Sequence, residues 1–387
     1  MAQPIYLDYN GTTPLDPRVK EAMRPFWDDE FGNPSSTHWY GIKPKQAVAR
    51  ARKQVASLLN CHPGEFIFTS GGTESNNHVL KGAAFARPSQ RTHIITSQIE
   101  HPAILEVCAY LDKFGVETTF IPVDAQGLVN ISDIKKAVKP ETALISIMHA
   151  NNEVGTIQPI EEISALAKEN GIIMHTDAAQ SVGKISVDVA KLGVDLLSLA
   201  GHKVYAPKGI GALFIRNGVV LDKFMHGAGQ ERGFRAGTEN VMQIVGLGEA
   251  CEIAKKDMEK NKSHMQKMKD LLYEGLKREL TQIRYNGHPE KCLPNTLNLS
   301  FFNLEADRIL EEIGLEVAAS AGAACHSDSI EISHVLKAMG VSLDWAKGTI
   351  RFSTGKMTTE TEIHRAVEVV STAVKRLRNV DQVHNLP

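Results

Sequence analysis

The chain is expected to be an α/β protein with two unequal parts. Short apolar runs alternate with amphipathic stretches from about residue 65 to residue 247, the signature of a mainly parallel sheet covered by helices on both faces. Two of those runs end in chemically conspicuous residues: Ile172-Ile173-Met174 leads into His175-Thr176-Asp177, and Leu196-Leu197-Ser198-Leu199 leads into Ala200-Gly201-His202-Lys203. After about residue 255 the pattern changes to a smaller α+β unit. At 387 residues the chain exceeds what a single core usually holds.

Taken in order, Phe66-Ile67-Phe68-Thr69 reads as a strand, followed by a turn and a helix. His93-Ile94-Ile95-Thr96 reads as a second strand, and the next helix opens at Pro102, a favoured first-turn residue. Ala143-Leu144-Ile145-Ser146-Ile147-Met148 is a further strand. A helix over residues 160–170 ends at Gly171, which suits the position just past a helix C-terminus. Residues 255–276 form one long polar-faced helix, a natural bridge to the second part. There, strands are expected at residues 298–302, 316–319 and 349–353, with helices near 306–313 and 359–377.

Composition excludes several function classes. The formal charge is −2, from 43 Lys plus Arg against 45 Asp plus Glu, so nothing argues electrostatically for nucleic acid or an acidic membrane. No run of apolar residues is long enough to span a bilayer, and the first residues lack the basic-then-apolar pattern of a signal peptide. The five cysteines, Cys61, Cys108, Cys251, Cys292 and Cys325, are scattered without a CxxC pair, so neither a metal site nor a disulfide framework is expected. A reducing, cytoplasmic setting follows as the default.

The chemistry begins with Asp177 and Lys203. Carboxyl ends of parallel strands are where open α/β sheets hold ligands. Pyridoxal phosphate needs a Lys for its Schiff base and an acid to keep its pyridine nitrogen protonated, and these two residues offer both; a buried Asp–Lys ion pair would use the same side chains. Between a strand and a helix, Thr69-Ser70-Gly71-Gly72-Thr73 offers backbone N–H groups, a helix dipole and a hydroxyl to a phosphate, or is an ordinary capped glycine turn. Gly227-Ala228-Gly229-Gln230-Glu231-Arg232 fails the spacing of a dinucleotide fingerprint, since Arg232 stands where the third glycine belongs. His101, at a strand-to-helix boundary, suits stacking or proton shuttling, or a structural role. Asn152 follows another strand and offers an amide, or belongs to a turn. Cys325 lies in a run of small residues, Ala318-Ala319-Ser320-Ala321-Gly322-Ala323-Ala324-Cys325-His326, that reads as an adaptable loop with a potentially reactive thiol. Arg351, on an expected strand, can bind a carboxylate bidentately or form an interdomain ion pair.

In this order, and with Tyr6-Leu7-Asp8-Tyr9-Asn10, Gly32-Asn33-Pro34-Ser35-Ser36 and Ile350-Arg351-Phe352-Ser353 at either end, the motifs resemble those of the NifS/IscS cysteine desulfurases of the class V aminotransferase group. The resemblance implies the type I fold of pyridoxal-phosphate enzymes, with a large domain over residues 15–260 and a small α+β domain from residues 1–14 and 261–387. It implies that Lys203 carries pyridoxal 5′-phosphate, Asp177 pairs with the ring nitrogen, and His101 stacks on the ring. Asn152 and Gln180 would contact the ring and its phenolic oxygen. Gly72, Thr73 and His202 would hold the phosphate, with Thr238 of a partner subunit in a homodimer. Arg351, helped by Asn33 and Asn152, would clamp the carboxylate of L-cysteine, and Cys325 would take its sulfur as a persulfide for an acceptor such as an iron–sulfur scaffold protein. No metal is implied.

Three positions depart from the family pattern. Ala200 stands where a phosphate-binding Ser is common, and Gly11 where Ala is common. The Cys loop, usually SGSACTS, reads Ala321-Gly322-Ala323-Ala324-Cys325-His326-Ser327. That loop, with Ala200 and Gln230-Glu231-Arg232, resembles the selenocysteine lyases, whereas Pro102 after His101 is the desulfurase arrangement. Desulfurase is the leading expectation and selenocysteine lyase its rival. An aminotransferase would use Lys203 and Asp177 without Cys325, and a non-catalytic protein of this fold would bind no cofactor.

Overall fold

The computed structural model describes the backbone of residues 4–86, 92–321, 323–326 and 329–384, and the side chains of these except 323–326, 329–331 and 381–384. Its centre is a seven-stranded sheet in the order Phe66–Thr69, Gly211–Ile215, Leu196–Ala200, Ile173–Asp177, Thr142–Ser146, His93–Ser97, Glu117–Ile121. Asp177 pairs in parallel register with Ser198, so the two informative strands are neighbours. Gly211–Ile215 runs antiparallel to both of its neighbours. The stretch from residue 201 to 210 is too short to carry the chain back across the sheet, so the strand must return alongside. The inner strands are buried residue for residue, which is why they read as continuous apolar runs rather than alternating ones.

The second part is built on a four-stranded antiparallel sheet in the order Ser320–Ala321, Thr349–Ser353, Thr296–Phe301, Ile283–Asn286. Ile5–Tyr6 adds itself in parallel to Val317–Ala318, so the first residues of the chain belong to this late-sequence unit. Ile5 and Leu7 share a core with Leu297, Leu299, Phe352 and Val370. The strand expected at 316–319 is split in two, Val317–Ala318 and Ser320–Ala321, because its halves pair with different partners.

One helix, Val241–Glu279, joins the two cores. Ile244, Leu247 and Cys251 pack into the large core, while Met268, Leu272 and Leu276 pack into the small one. It begins 14 residues before the expected position, 241 against 255. In the missed stretch only Glu252 is exposed, so little of a polar face reveals it, and Gly248 lies so close to a neighbouring helix that a Cβ would come within 2.6 Å of Ala51 Cα. Residues 323–326, expected as a loop, pair with 329–332 as a short antiparallel hairpin in which Cys325 opposes Ile330. The β-branched Ile330 and Ile332 favour an extended partner strand.

Candidate active site

A cavity of about 380 Å³ opens at the carboxyl ends of Ile173–Asp177 and Leu196–Ala200. Asp177, the last residue of its strand, and Lys203, three residues past the end of the next, both line it. They are not ion-paired. Asp177 Oδ2 accepts a hydrogen bond from Asn76 Nδ2 at 2.7 Å and Oδ1 accepts one from Ala179 N at 2.9 Å. Lys203 Nζ donates to the Asn10 carbonyl and, at 2.7 Å, to that of Gly11. Burial, and then the nearby Arg351 guanidinium, bring the Lys203 ammonium down to about 8, against the pull of Asp8 and Asp177. The carboxylate is thus aimed by two donors, and the amine lies within reach of its neutral form near physiological pH.

The phosphate candidate also lies in the wall. Gly72 and Thr73 open the 15-residue helix Gly72–Ala86, whose first-turn N–H groups have no partner within the helix. Asn76 is one turn further on, which is how a helix aimed at a ligand also orients Asp177. His202 keeps Nδ1 3.1 Å from Thr12 Oγ1, and burial followed by the charges of Lys203 and Lys208 pushes its imidazole down to about 4. His101 caps the helix Pro102–Asp112, its Nδ1 accepting from Ala103 N at 3.1 Å. That bond places the proton of the neutral ring on Nε2. Burial, then Lys203 and His334, lower its pKa, while Asp177 raises it.

Behind Gln180 lies a buried amide network. Gln180 Nε2 donates to Asn10 O at 3.0 Å, and Lys184 Nζ donates to Gln180 Oε1 at 2.8 Å and Asn10 Oδ1 at 3.0 Å. Both amides turn their oxygen toward Lys184 Nζ, which donates to each. Burial holds its ammonium well below the usual range. Asn152 lines the cavity, and its carbonyl accepts from Asn10 Nδ2 at 3.2 Å and Arg351 Nη1 at 3.1 Å. Arg351 also donates through Nη2 to Asp8 Oδ1 at 2.7 Å and Ser320 Oγ at 3.0 Å, while its Nε is buried without a partner.

Two expected residues, Asn33 and Thr238, are not in the lining. The Cys325 side chain lies outside the described residues, but the segment just past its hairpin is anchored beside the cavity: Ser333 Oγ donates to Glu153 Oε2 at 2.5 Å, and His334 Nε2 lies 2.9 Å from the carbonyl of Glu100, the residue before His101. Thr238 is solvent-exposed on the outer surface. Asn33 is exposed too, its Oδ1 accepting from Ser35 N at 2.9 Å. A larger cavity, about 630 Å³, lies at the opposite end of the strands between Ile172, Asp195 and Arg216, and contains none of the expected residues.

Sequence reasoning assigned no role to Asp8, Asn10, Asn76, Glu100 or Lys184. Asn76 was legible in principle, being four residues, one helical turn, past Gly72. Glu100 and Lys184 carried no signal, because a charged residue announces nothing about its burial.

A family model described as aminotransferase class V matches residues 5–366. The chain is 47% identical over 381 residues to a protein named cysteine desulfurase IscS from Dictyoglomus turgidum, covering 98% of this chain and 97% of that one. A solved structure described as a NifS-like protein superposes with a TM-score of 0.91 at 38% identity, over 96% of this chain and all of the other. Another, described as SspA in complex with cysteine, gives a TM-score of 0.81 at 38% identity, over 92% of this chain and all of the other.

Proposed function

The chain belongs to the class V aminotransferase family, and from that premise we propose that it is a pyridoxal 5′-phosphate-dependent cysteine desulfurase. It converts L-cysteine to L-alanine, leaving the sulfur on Cys325. Written in balance, L-cysteine and the Cys325 thiol give L-alanine and the Cys325 persulfide: the substrate C–S bond breaks, an S–S bond forms, and the thiol and amino acid carry the protons. The observation that carries the reading is the convergence of Lys203, Asp177, His101 and Arg351 on one cavity.

The lining fits the cofactor. Besides the lysine, the carboxylate and the helix N-terminus, Asn76 Oδ1 in the cavity wall is buried without a hydrogen-bond partner. Gly72, Thr73 and His202 would hold the phosphate, Lys203 the aldehyde carbon, Asp177 the ring nitrogen, His101 a ring face and Gln180 the phenolic oxygen. Bound there, pyridoxal phosphate supplies an electron sink that lets bonds at the substrate Cα and Cβ break.

The chain's own residues do the rest. Asp177, held by Asn76 and Ala179, stays aimed at one point in the cavity. Lys203, with its pKa near 8, exchanges a proton close to neutral pH and so suits moving the substrate α-proton. Arg351, with Asn152 beside it, fixes the substrate carboxylate. Asn33, exposed and outside the lining, is assigned as a further carboxylate contact from the family resemblance alone. Cys325, on its hairpin, attacks the sulfur as thiolate and then carries it to an acceptor protein such as an iron–sulfur scaffold.

The working unit is a homodimer whose partner contributes Thr238. Supporting this, Trp27, Phe31 and Trp39, near Asn33 in the sequence, are 75%, 74% and 68% exposed. The proposed division into a large domain of residues 15–260 and a small one of residues 1–14 and 261–387 is supported by two hydrophobic clusters that fall on either side of it, while a third, which joins Ile99, Met148 and Val154 to Val335, Leu336 and Met339, bridges the two parts. Among the described residues no helix is long and apolar enough to cross a membrane, and a cytoplasmic setting is proposed. The test is turnover of L-cysteine and L-selenocysteine by wild type and Cys325→Ala, scoring alanine, sulfide and selenide. Alanine from cysteine that disappears in the variant supports the assignment. Alanine from selenocysteine alone transfers it to a selenocysteine lyase, and no alanine from either refutes both.

A further inference from the structure

The proposed substrate clamp, Arg351, is already engaged. Asp8 Oδ1 accepts from Arg351 Nη2 at 2.7 Å and from Ser320 Oγ at 2.9 Å. The pair is largely enclosed, with 12% of the Arg351 side chain and 24% of the Asp8 side chain exposed. Arg351 donates to Asp8 through Nη2 alone; its Nε is buried with no partner. Half of the fork that arginine offers a carboxylate therefore goes unused. An incoming amino-acid carboxylate that accepts from both Nε and Nη2 would satisfy a donor that Asp8 leaves unpaired.

Asp8 keeps its place because of Gly11. The two residues close a tight turn, with Gly11 N donating to Asp8 O at 2.9 Å. A Cβ on residue 11 would lie 2.3 Å from Asp8 Oδ2 and 2.9 Å from Asp8 Cγ. Those distances are far inside van der Waals contact, so any larger residue at 11 forces the carboxylate to rotate away. Gly11 is one of the positions at which the sequence departs from the family pattern, where Ala is common; its consequence lies in the space it leaves.

We propose that Asp8 is a built-in competitor for Arg351: its carboxylate occupies part of the substrate carboxylate's seat in the resting enzyme, is displaced by the incoming amino acid, and is admitted to that seat by Gly11. The exchange replaces one carboxylate by another, so Arg351 is never left without a counter-charge. Amines without a carboxylate have nothing to offer Arg351 in return, and the device therefore adds to substrate selection. The inference rests on the proposed role of Arg351 and extends it.

The experiment titrates the holoenzyme with L-alanine and with ethylamine, its decarboxylated counterpart, following cofactor absorbance, in wild type, Gly11→Ala, Asp8→Asn and Arg351→Ala. Gly11→Ala displaces the Asp8 carboxylate and sets a Cβ 3.2 Å from the Asp8 carbonyl oxygen, a contact that a shift of a few tenths of an ångström relieves, and Asp8→Asn keeps the shape while removing the charge. Each is expected to tighten L-alanine about five-fold, the scale of one partly exposed ion pair, and to leave ethylamine unchanged. L-alanine affinity that stays the same or falls in both variants overturns the proposal, as does a parallel tightening of ethylamine. Arg351→Ala separates the two levels of the argument. Weakened L-alanine with unchanged ethylamine supports the carboxylate clamp, whereas equal effects on both ligands refute the clamp and the competitor with it.

Discussion

Replacing Glu100 by Gln should stabilise the protein increasingly as pH rises. Glu100 is fully buried beside His101; its Oε1 accepts from Ser97 Oγ at 2.6 Å and Met148 N at 3.0 Å, while Oε2 is buried without a partner. Burial, with a smaller push from Asp177, raises its carboxyl from 4.5 to about 8, so the folded protein holds a proton there that the unfolded chain releases. The stability due to that proton is fully present below about pH 4.5 and is lost progressively as pH rises to about 8. The loss is about 1.4 kcal/mol per pH unit within that window. Gln is nearly isosteric and never titrates. Its amide also buries an N–H group in place of Oε2, at a constant cost of about 1–3 kcal/mol. That constant cancels when two pH values are compared. Urea unfolding followed by tryptophan fluorescence, at equal cofactor loading, should show the difference between variant and wild type moving in favour of Glu100→Gln by about 2–3 kcal/mol between pH 5.5 and 7.5. A difference that does not change with pH would mean that Glu100 is ionised in the folded protein and would refute the reasoning.

Two other outcomes are expected at the site. In cofactor-free protein, labelling of Lys203 by an amine-directed reagent should rise through about pH 8, since only the neutral amine reacts. At pH 7 its reactive fraction should exceed that of an ordinary surface lysine on the order of 100-fold, and peptide mass spectrometry showing Lys203 titrating with the surface lysines would contradict this. Gly155→Ala should destabilise by about 2 kcal/mol or more, since the residue has φ +76° and a Cβ would meet Thr296 Cβ at 2.9 Å. Thr296 Oγ1 accepts from Asn10 Nδ2 at 2.8 Å, so cofactor affinity should weaken with stability. An unchanged urea midpoint would show that Thr296 yields freely.

Much of the site is legible locally because its residues stand at strand ends. A parallel strand buried on both faces writes itself as an unbroken apolar run, and the residue just after it is where such a sheet meets ligands. Asp177 and Lys203 are found this way, and Gly72 and Thr73 by the glycine turn that opens a helix. The first 14 residues of Val241–Glu279 are illegible for the opposite reason: all but Glu252 are buried or half-buried, too little polar surface to reveal the period. The hairpin around Cys325 was masked by small residues that fit loop and strand equally well.

The sequence by itself determined the α/β class, the strand ends that bear Asp177 and Lys203, and the motif order that resembles the NifS/IscS family. These are properties of neighbouring residues, fixed by hydrophobic period and turn chemistry. The tertiary structure alone decided which distant groups meet. It brings Asp8 to Arg351 across 343 positions and Asn10 to Lys184 across 174. It also decided that Asp177 is held by Asn76 rather than by Lys203, and that Glu100 and Lys184 lie in full burial. Burial and charge proximity are set by how layers pack, so the same Glu or Lys is an ordinary surface ion in one packing and a shifted acid or base in another.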